Sequence, residues 1–228
     1  MGDGWICAVL KNRVVVAVYR PFIDDPRDIA RLEGQRFVVL RPTPVVSAVH
    51  HHVQSVIKER FASGDVSYPA QAHVTLAGFA KGTQLEAVLE VVAEWAPSVP
   101  PLRLEVEQPG YFPAPFQIVI VQIRKTPALF SALASLRARA IQRGLRDAGM
   151  VPAPDWIFHM SVAYCASLSS LAWAAVTQGV DGLSVEAADC VVGEVEIVAF
   201  DRSQEYSGGI FGLSDGGGDG KEKRGAAR

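Results

Sequence analysis

The chain is poor in cysteine: three thiols, Cys7, Cys165 and Cys190, stand far apart in 228 residues and form no CxxC pair. That spacing offers neither a disulfide framework nor the thiolate pairs of zinc and redox sites, and it suits a reducing cytoplasm. Charge of one sign is also missing, since the formal net charge is only -2. No global field steers the protein to nucleic acid or an anionic membrane, so any polyanion it handles is gripped locally. Apolar runs are all much shorter than the roughly 20 residues of a membrane span. The start, MGDGWICAVL, has no basic n-region, and Ile6 breaks the myristoylation pattern. A soluble cytoplasmic protein without a targeting segment is expected.

Apolar residues make up 49% of the chain, ample for a globular core. The stretch from Ser214, SDGGGDGKEKRGAAR, is glycine-rich and charged, and is expected to be a disordered tail.

Internal repetition organises the middle. FVVLRPTP (37–44) and IVIVQIRKTP (118–127) each run from a short apolar strand into a basic residue followed by Thr-Pro. Thr43 and Thr126 can cap helices whose first residues are Pro44 and Pro127, where the missing N–H costs nothing. The first helix carries Val49, Val53, Ile57 and Phe61 at four-residue spacing. The second carries Leu129, Leu133 and Leu136, with Gly149 as the expected stop. A proline-containing loop follows each, then AHVTLAGF and FHMSVAYC. Arg41 and Arg124 are 83 residues apart and His73 and His159 are 86 apart, the offset of a diverged duplication. A third helix is expected to open on a capping box of Thr83 and Glu86, and its counterpart to end at Gly179. Strands LRLEVEQ (102–108) and VGEVEIVAF (192–200) close the two copies. Each copy reads strand, helix, histidine strand, helix, strand. The expected division is an extension (1–36), repeats at 37–115 and 116–200, and a C-terminal segment (201–228), with 37–212 one integrated unit. RVVVAVYR in the extension reads as one more strand.

On a strand, residues i and i+2 share a face, so His73 with Thr75, and His159 with Ser161, each aim an imidazole and a hydroxyl the same way. Val74, Leu76, Met160 and Val162 point into the core. If the two copies pack about a pseudo-two-fold axis, two imidazoles and two hydroxyls line one cleft. One neutral and one protonated histidine can then act as base and acid while the hydroxyls hold a tetrahedral anion, as phosphate-ester chemistry requires.

HVTL (73–76) and HMSV (159–162) resemble the paired H-x-[ST]-x motifs of the 2H phosphoesterase superfamily. The chain is most similar to its LigT-like branch of 2',5'-RNA ligases and RNA 2',3'-cyclic phosphodiesterases. The resemblance covers about 37–200 and implies a bilobal α+β fold with antiparallel sheets facing a central cleft. It implies metal-independent chemistry without a cofactor, on RNA ends or small nucleotides carrying a 2',3'-cyclic phosphate. By position, His73 and His159 become the acid–base pair and Thr75 and Ser161 the phosphate-holding hydroxyls. The analogy makes His159 the base for water and His73 the acid for the ribose 3' oxygen, yielding a 2'-phosphate. The alternatives are a 2'-5' phosphodiesterase, a 2'-5' RNA ligase, or a nucleotide-binding module without turnover. A monomer with no membrane partner is expected.

Other residues are secondary candidates. Phe79, Tyr111, Phe112, Phe116, Trp156 and Tyr164 could stack on a base. Tyr111 and Phe112 lead because PGYFPAPF reads as a proline-rich loop. Arg202 and Tyr206 could reach a phosphate. Arg41 and Arg124 suit structural pairing, and Arg137, Arg139, Arg143 and Arg146 a solvated helix face. His50, His51 and His52 point about 100° apart on a helix and cannot converge on one metal ion, with His50 turned toward the core.

Overall fold

The computed structural model describes residues 7–10, 13–16, 19–21, 32–61, 64–148, 151–201 and 204–214. Three strands lie in the extension: β1 (Cys7–Leu10), β2 (Arg13–Val16) and β3 (Tyr19–Pro21). The single strand expected at 13–20 is therefore split, and β1, which was not expected, pairs with β2. The first repeat gives β4 (Arg36–Leu40), α1 (Pro44–Arg60), β5 (Val74–Phe79), α2 (Leu85–Trp95) and β6 (Leu102–Phe112). The second gives β7 (Ile118–Ile123), α3 (Pro127–Gln142), β8 (His159–Tyr164), α4 (Ser170–Asp181), β9 (Asp189–Val192) and β10 (Glu194–Asp201), followed by β11 (Gln204–Gly212).

Repeats and sheets do not coincide. One antiparallel sheet has the order β3-β11-β10-β4-β5 and the other β8-β7-β6-β9. Each repeat thus sends a late strand into the other sheet: β6 lies beside β7, and β10 beside β4. Each sheet therefore contains residues from both 37–115 and 116–200. The exchange extends to the helices, since α1 packs on β8 and α3 on β5. Even the outer edges of the histidine strands are covered by the other repeat. Ser67 and Tyr164 exchange backbone hydrogen bonds of 3.1 and 2.8 Å, while Ala80 N–H donates to Arg146 and Ala148 N–H to Gly78, both at 3.1 Å. Covering an edge removes a site for wrong pairing and fixes both motif strands relative to one shared core. That core runs continuously through Leu40, Leu76, Trp95, Leu104, Ile123 and Leu133.

The helix starts follow the sequence only in part. Thr126 caps α3 by accepting from Leu129 N–H at 3.2 Å, whereas Thr43 occupies the cap of α1 without a side-chain bond. The Thr83 capping box does not form. Thr83 Oγ1 donates to the Ala80 carbonyl at 2.7 Å, and Gln84 takes the cap of α2. α3 ends at Gln142, where Gly144 adopts φ 72°, and Gly149 lies outside the described residues. α4 runs through Gly179 to Asp181, because Gly179 is the place where the Phe61 ring crosses the helix: a Cβ there would lie 3.1 Å from it. The tail beyond Ser214 also lies outside the described residues.

Candidate active site

The two motifs occupy equivalent places. His73 immediately precedes β5 and His159 opens β8. Val74, Leu76, Met160 and Val162 have no exposure, while His73, Thr75, His159 and Ser161 are half-buried on the opposite faces of their strands. Both strands bulge just past the hydroxyl. Val39 pairs with Thr75 but Val38 with Ala77, and Ile120 pairs with Ser161 but Val119 with Ala163. Leu76 and Val162 are the extra residues, and such bulges re-aim neighbouring side chains.

The surroundings of the two imidazoles differ. His159 Nδ1–H donates to the Ile157 carbonyl at 2.8 Å, which fixes the tautomer and leaves the Nε2 lone pair available. The Phe112 ring stands edge-on to it, with centroids 4.8 Å apart. Burial lowers the proton affinity of His159, and the bond to Ile157 opposes this. His73 is pushed down to about 3, by burial first and then by the charges of Arg41, His159 and His50, with Glu196 opposing. Arg41 Nε donates to Glu196 at 2.7 Å, and its terminal nitrogen bonds Glu205; both carboxylates are buried. Both catalytic candidates are therefore neutral at pH 7 in the free protein.

Two side chains on α1 support the second motif from the other repeat. His50, fully buried, donates from Nε2 to the Ser161 carbonyl at 2.8 Å, and burial holds its pKa at about 4. Gln54 Nε2 donates to the Pro69 and Val162 carbonyls at 3.0 and 3.1 Å. The backbone of the β8 bulge thus has its partners on α1. The signal was legible as spacing: positions 50 and 54 fall on the same buried stripe as Val46, Val53 and Ile57.

The secondary candidates separate. Tyr111 and Phe112 both belong to β6, not to a loop, so they alternate: Phe112 meets His159, whereas Tyr111 packs on Trp173 of α4 at 5.8 Å. Tyr164 packs on Val39, Val198 and Phe200 on the cleft face of the first sheet. Phe79 is in the core, Phe116 is exposed, and Trp156 lies under the Arg137 guanidinium at 4.8 Å. Tyr206 is in register with Ala199 and Arg36, so it sits on the face away from Phe37 and Val39 and is not brought to the histidines; Arg36 lies 6.0 Å over its ring. Arg202 lies outside the described residues. Arg124 pairs with Glu105 at 3.0 Å and Glu107 at 3.6 Å, largely exposed, unlike the enclosed Arg41. Arg139 and Arg143 share Glu94 on the surface. Among the described residues no three His, Cys, Asp or Glu side chains come together, and no helix is long and apolar enough to cross a membrane.

Comparison with known proteins agrees with this fold. The model of the 2'-5' RNA ligase superfamily matches residues 38–204. Among solved structures, Escherichia coli LigT complexed with NADP+ is similar at TM-score 0.54 and 17% identity, over 80% of this chain and 99% of that one. TT0787 of Thermus thermophilus is similar at TM-score 0.56 and 17% identity, over 78% and 97%. LigT complexed with 3'-AMP gives 0.52 and 15%, over 80% and 99%. At these identities the structures speak for the fold: α+β, with antiparallel sheets about a cleft. No curated protein matches the sequence.

Proposed function

The chain belongs to the 2'-5' RNA ligase superfamily, and from that premise we propose that it is a metal-independent cyclic phosphodiesterase. Its substrate is a 2',3'-cyclic phosphate at an RNA end or on a nucleotide, and its product a 2'-phosphate. The observation that carries this reading is the recurrence of an imidazole and a hydroxyl on one strand face, each followed by the same bulge, in both repeats. The 3'-AMP, ATP and NADP+ complexes of LigT support a nucleotide ligand for a cleft of this fold. Cys165 and Cys190, buried and not joined in a disulfide, support a reducing, cytoplasmic setting.

His159 Nε2 accepts a proton from water as the oxygen attacks phosphorus. The bond from phosphorus to the ribose 3' oxygen breaks, and His73 gives that oxygen its proton. Thr75 and Ser161 donate hydrogen bonds to the non-bridging oxygens, where negative charge grows. Because His73 is neutral in the free protein, the bound phosphodiester anion has to raise its proton affinity before it can serve as acid. Substrate binding and arming of the acid are thus one event.

The test is a substrate panel in excess chelator: 2',3'-cyclic nucleotides, RNA with a cyclic phosphate end, and a 2'-5' linked dinucleotide. Opening of the cyclic substrates to 2'-phosphates is expected. Cleavage or joining of 2'-5' linkages alone, with cyclic phosphates left intact, would replace this reading by that of a 2'-5' phosphodiesterase or ligase. Tight binding without any product would leave a binding module.

A further inference from the structure

The side chains that hold the two motifs against each other belong to neither. Gln54 is buried on α1, and its Nε2 donates to two carbonyls at once. One is Pro69, at 3.0 Å, on the loop that leads to His73; the other is Val162, at 3.1 Å, in the bulge just past Ser161. Its Oε1 accepts from Lys58 Nζ at 3.2 Å, so the amide cannot turn over without setting its oxygen against both carbonyls. One turn earlier, His50 Nε2 holds the carbonyl of Ser161, the residue that carries the second hydroxyl. Segments of the two repeats are thus joined through one side chain, close to the paired backbone bonds of Ser67 and Tyr164.

The second repeat uses the same helix position. Arg137 on α3 stands 83 residues after Gln54, as Arg124 stands after Arg41, and donates from Nη1 to the Val151 carbonyl at 2.8 Å, on the loop that leads to His159. Its Nε faces Asp147 at 3.8 Å, and the Asp147 backbone bridges to Phe79 of β5. Each long helix therefore grips the loop before its own histidine and also reaches the other repeat's histidine strand. For packing alone an apolar side chain would serve at position 54. A donor turned to the same kind of loop in both repeats answers a need for alignment. In-line displacement at phosphorus has that need, because base and acid must stand on opposite sides, and a misplacement of about 1 Å can cost about 100-fold in rate. Holding the ligand is less demanding, since either hydroxyl can bind a phosphate oxygen by itself.

We propose that Gln54, with His50, is a positioning residue that sets the first histidine strand against the second, so that both imidazoles meet one phosphorus from opposite sides. This rests on the phosphodiesterase reading of the histidine pair, and the test separates the two. Gln54→Met keeps the volume and removes the donor. It should lower kcat on a 2',3'-cyclic nucleotide about 100-fold and leave KM within about threefold. His50→Gln keeps a donor for the Ser161 carbonyl and should hold kcat within about threefold, whereas His50→Met should lose it as Gln54→Met does. A double variant distinguishes alignment from general damage. In a His73→Ala background no second imidazole has to be aligned, so Gln54→Met should there cost less than about threefold. Losses that multiply in the double variant, or wild-type kcat in Gln54→Met, overturn the proposal. Should Gln54→Met not fold, the His50 pair carries the same comparisons. If wild type opens no cyclic phosphate, the catalytic reading falls on its own, and amide hydrogen exchange judges the clamp. Faster exchange in Gln54→Met at Ser67 and Tyr164, with Ala80 and Ala148 as protected as before, keeps it. Unchanged exchange at Ser67 and Tyr164, or equal acceleration at both pairs, sinks it.

Discussion

Acidification from pH 7 to 4 removes stability through His50. Its pKa is held at about 4 in the fold against an ordinary 6.5, because the ring is fully buried, and the bond from its Nε2–H to the Ser161 carbonyl offsets this only in part. Between these two values the unfolded chain binds a proton that the folded one refuses, so stability is flat above 6.5, falls as pH drops toward 4, and levels off below. A gap of this size at about 1.4 kcal/mol per unit gives a loss of about 3 kcal/mol from this residue, a large part of a typical 5–15 kcal/mol. His73 adds a loss of the same sign, so the informative quantity is the difference from a His50→Gln variant. Glutamine keeps a donor for Ser161 and does not titrate. Urea unfolding followed by tryptophan fluorescence at several pH values between 7.5 and 4 should give the variant a shallower decline, by about 3 kcal/mol at pH 4. A constant offset between the two curves is expected from imperfect packing and is immaterial. Parallel curves across the whole range would refute the argument.

Three further outcomes follow from the site. The recurring arginines should cost very different amounts: Arg41→Met strands two buried carboxylates and should lose about 3–5 kcal/mol, whereas Arg124→Met should stay within about 1 kcal/mol in the same unfolding assay. The pH dependence of kcat/KM reports the free enzyme, in which both histidines sit below their ordinary value. As pH falls from 8, kcat/KM should rise and should level off at a lower pH than it would for a pair of unshifted histidines. Thr75→Ala and Ser161→Ala should each lower kcat by about 100-fold with little change in the pH profile, since they remove donors to developing charge and not proton carriers. A change in KM alone would make them ground-state binders.

Much of this was readable in the chain because it depends on local rules. Thr-Pro punctuation set both long helices, and i, i+2 alternation put each histidine with its hydroxyl on one face. What escaped depends on tertiary choices. Whether β6 stays with β5 or joins β7 is decided by which sheet edge is open, and nothing within LRLEVE encodes that. Tyr111 and Phe112 looked like loop residues because of the prolines around them, yet β6 extends through Pro109 at a register shift, and alternation then splits the pair between two faces. Arg41 and Arg124 hold equivalent sequence positions, but only Arg41 meets partners, Glu196 and Glu205, that the neighbouring strands bury. Gly179 reads as a helix stop until the Phe61 ring is seen to need its missing side chain.

The most direct test of the two-histidine claim is the rate of cyclic phosphate opening in excess chelator by wild type, His73→Ala and His159→Ala, with binding of a nucleotide 2'-phosphate measured on each. Loss of about 100-fold or more in both variants, with binding kept, is the result this geometry predicts. A variant that loses either histidine and still opens the ring at the wild-type rate would contradict it.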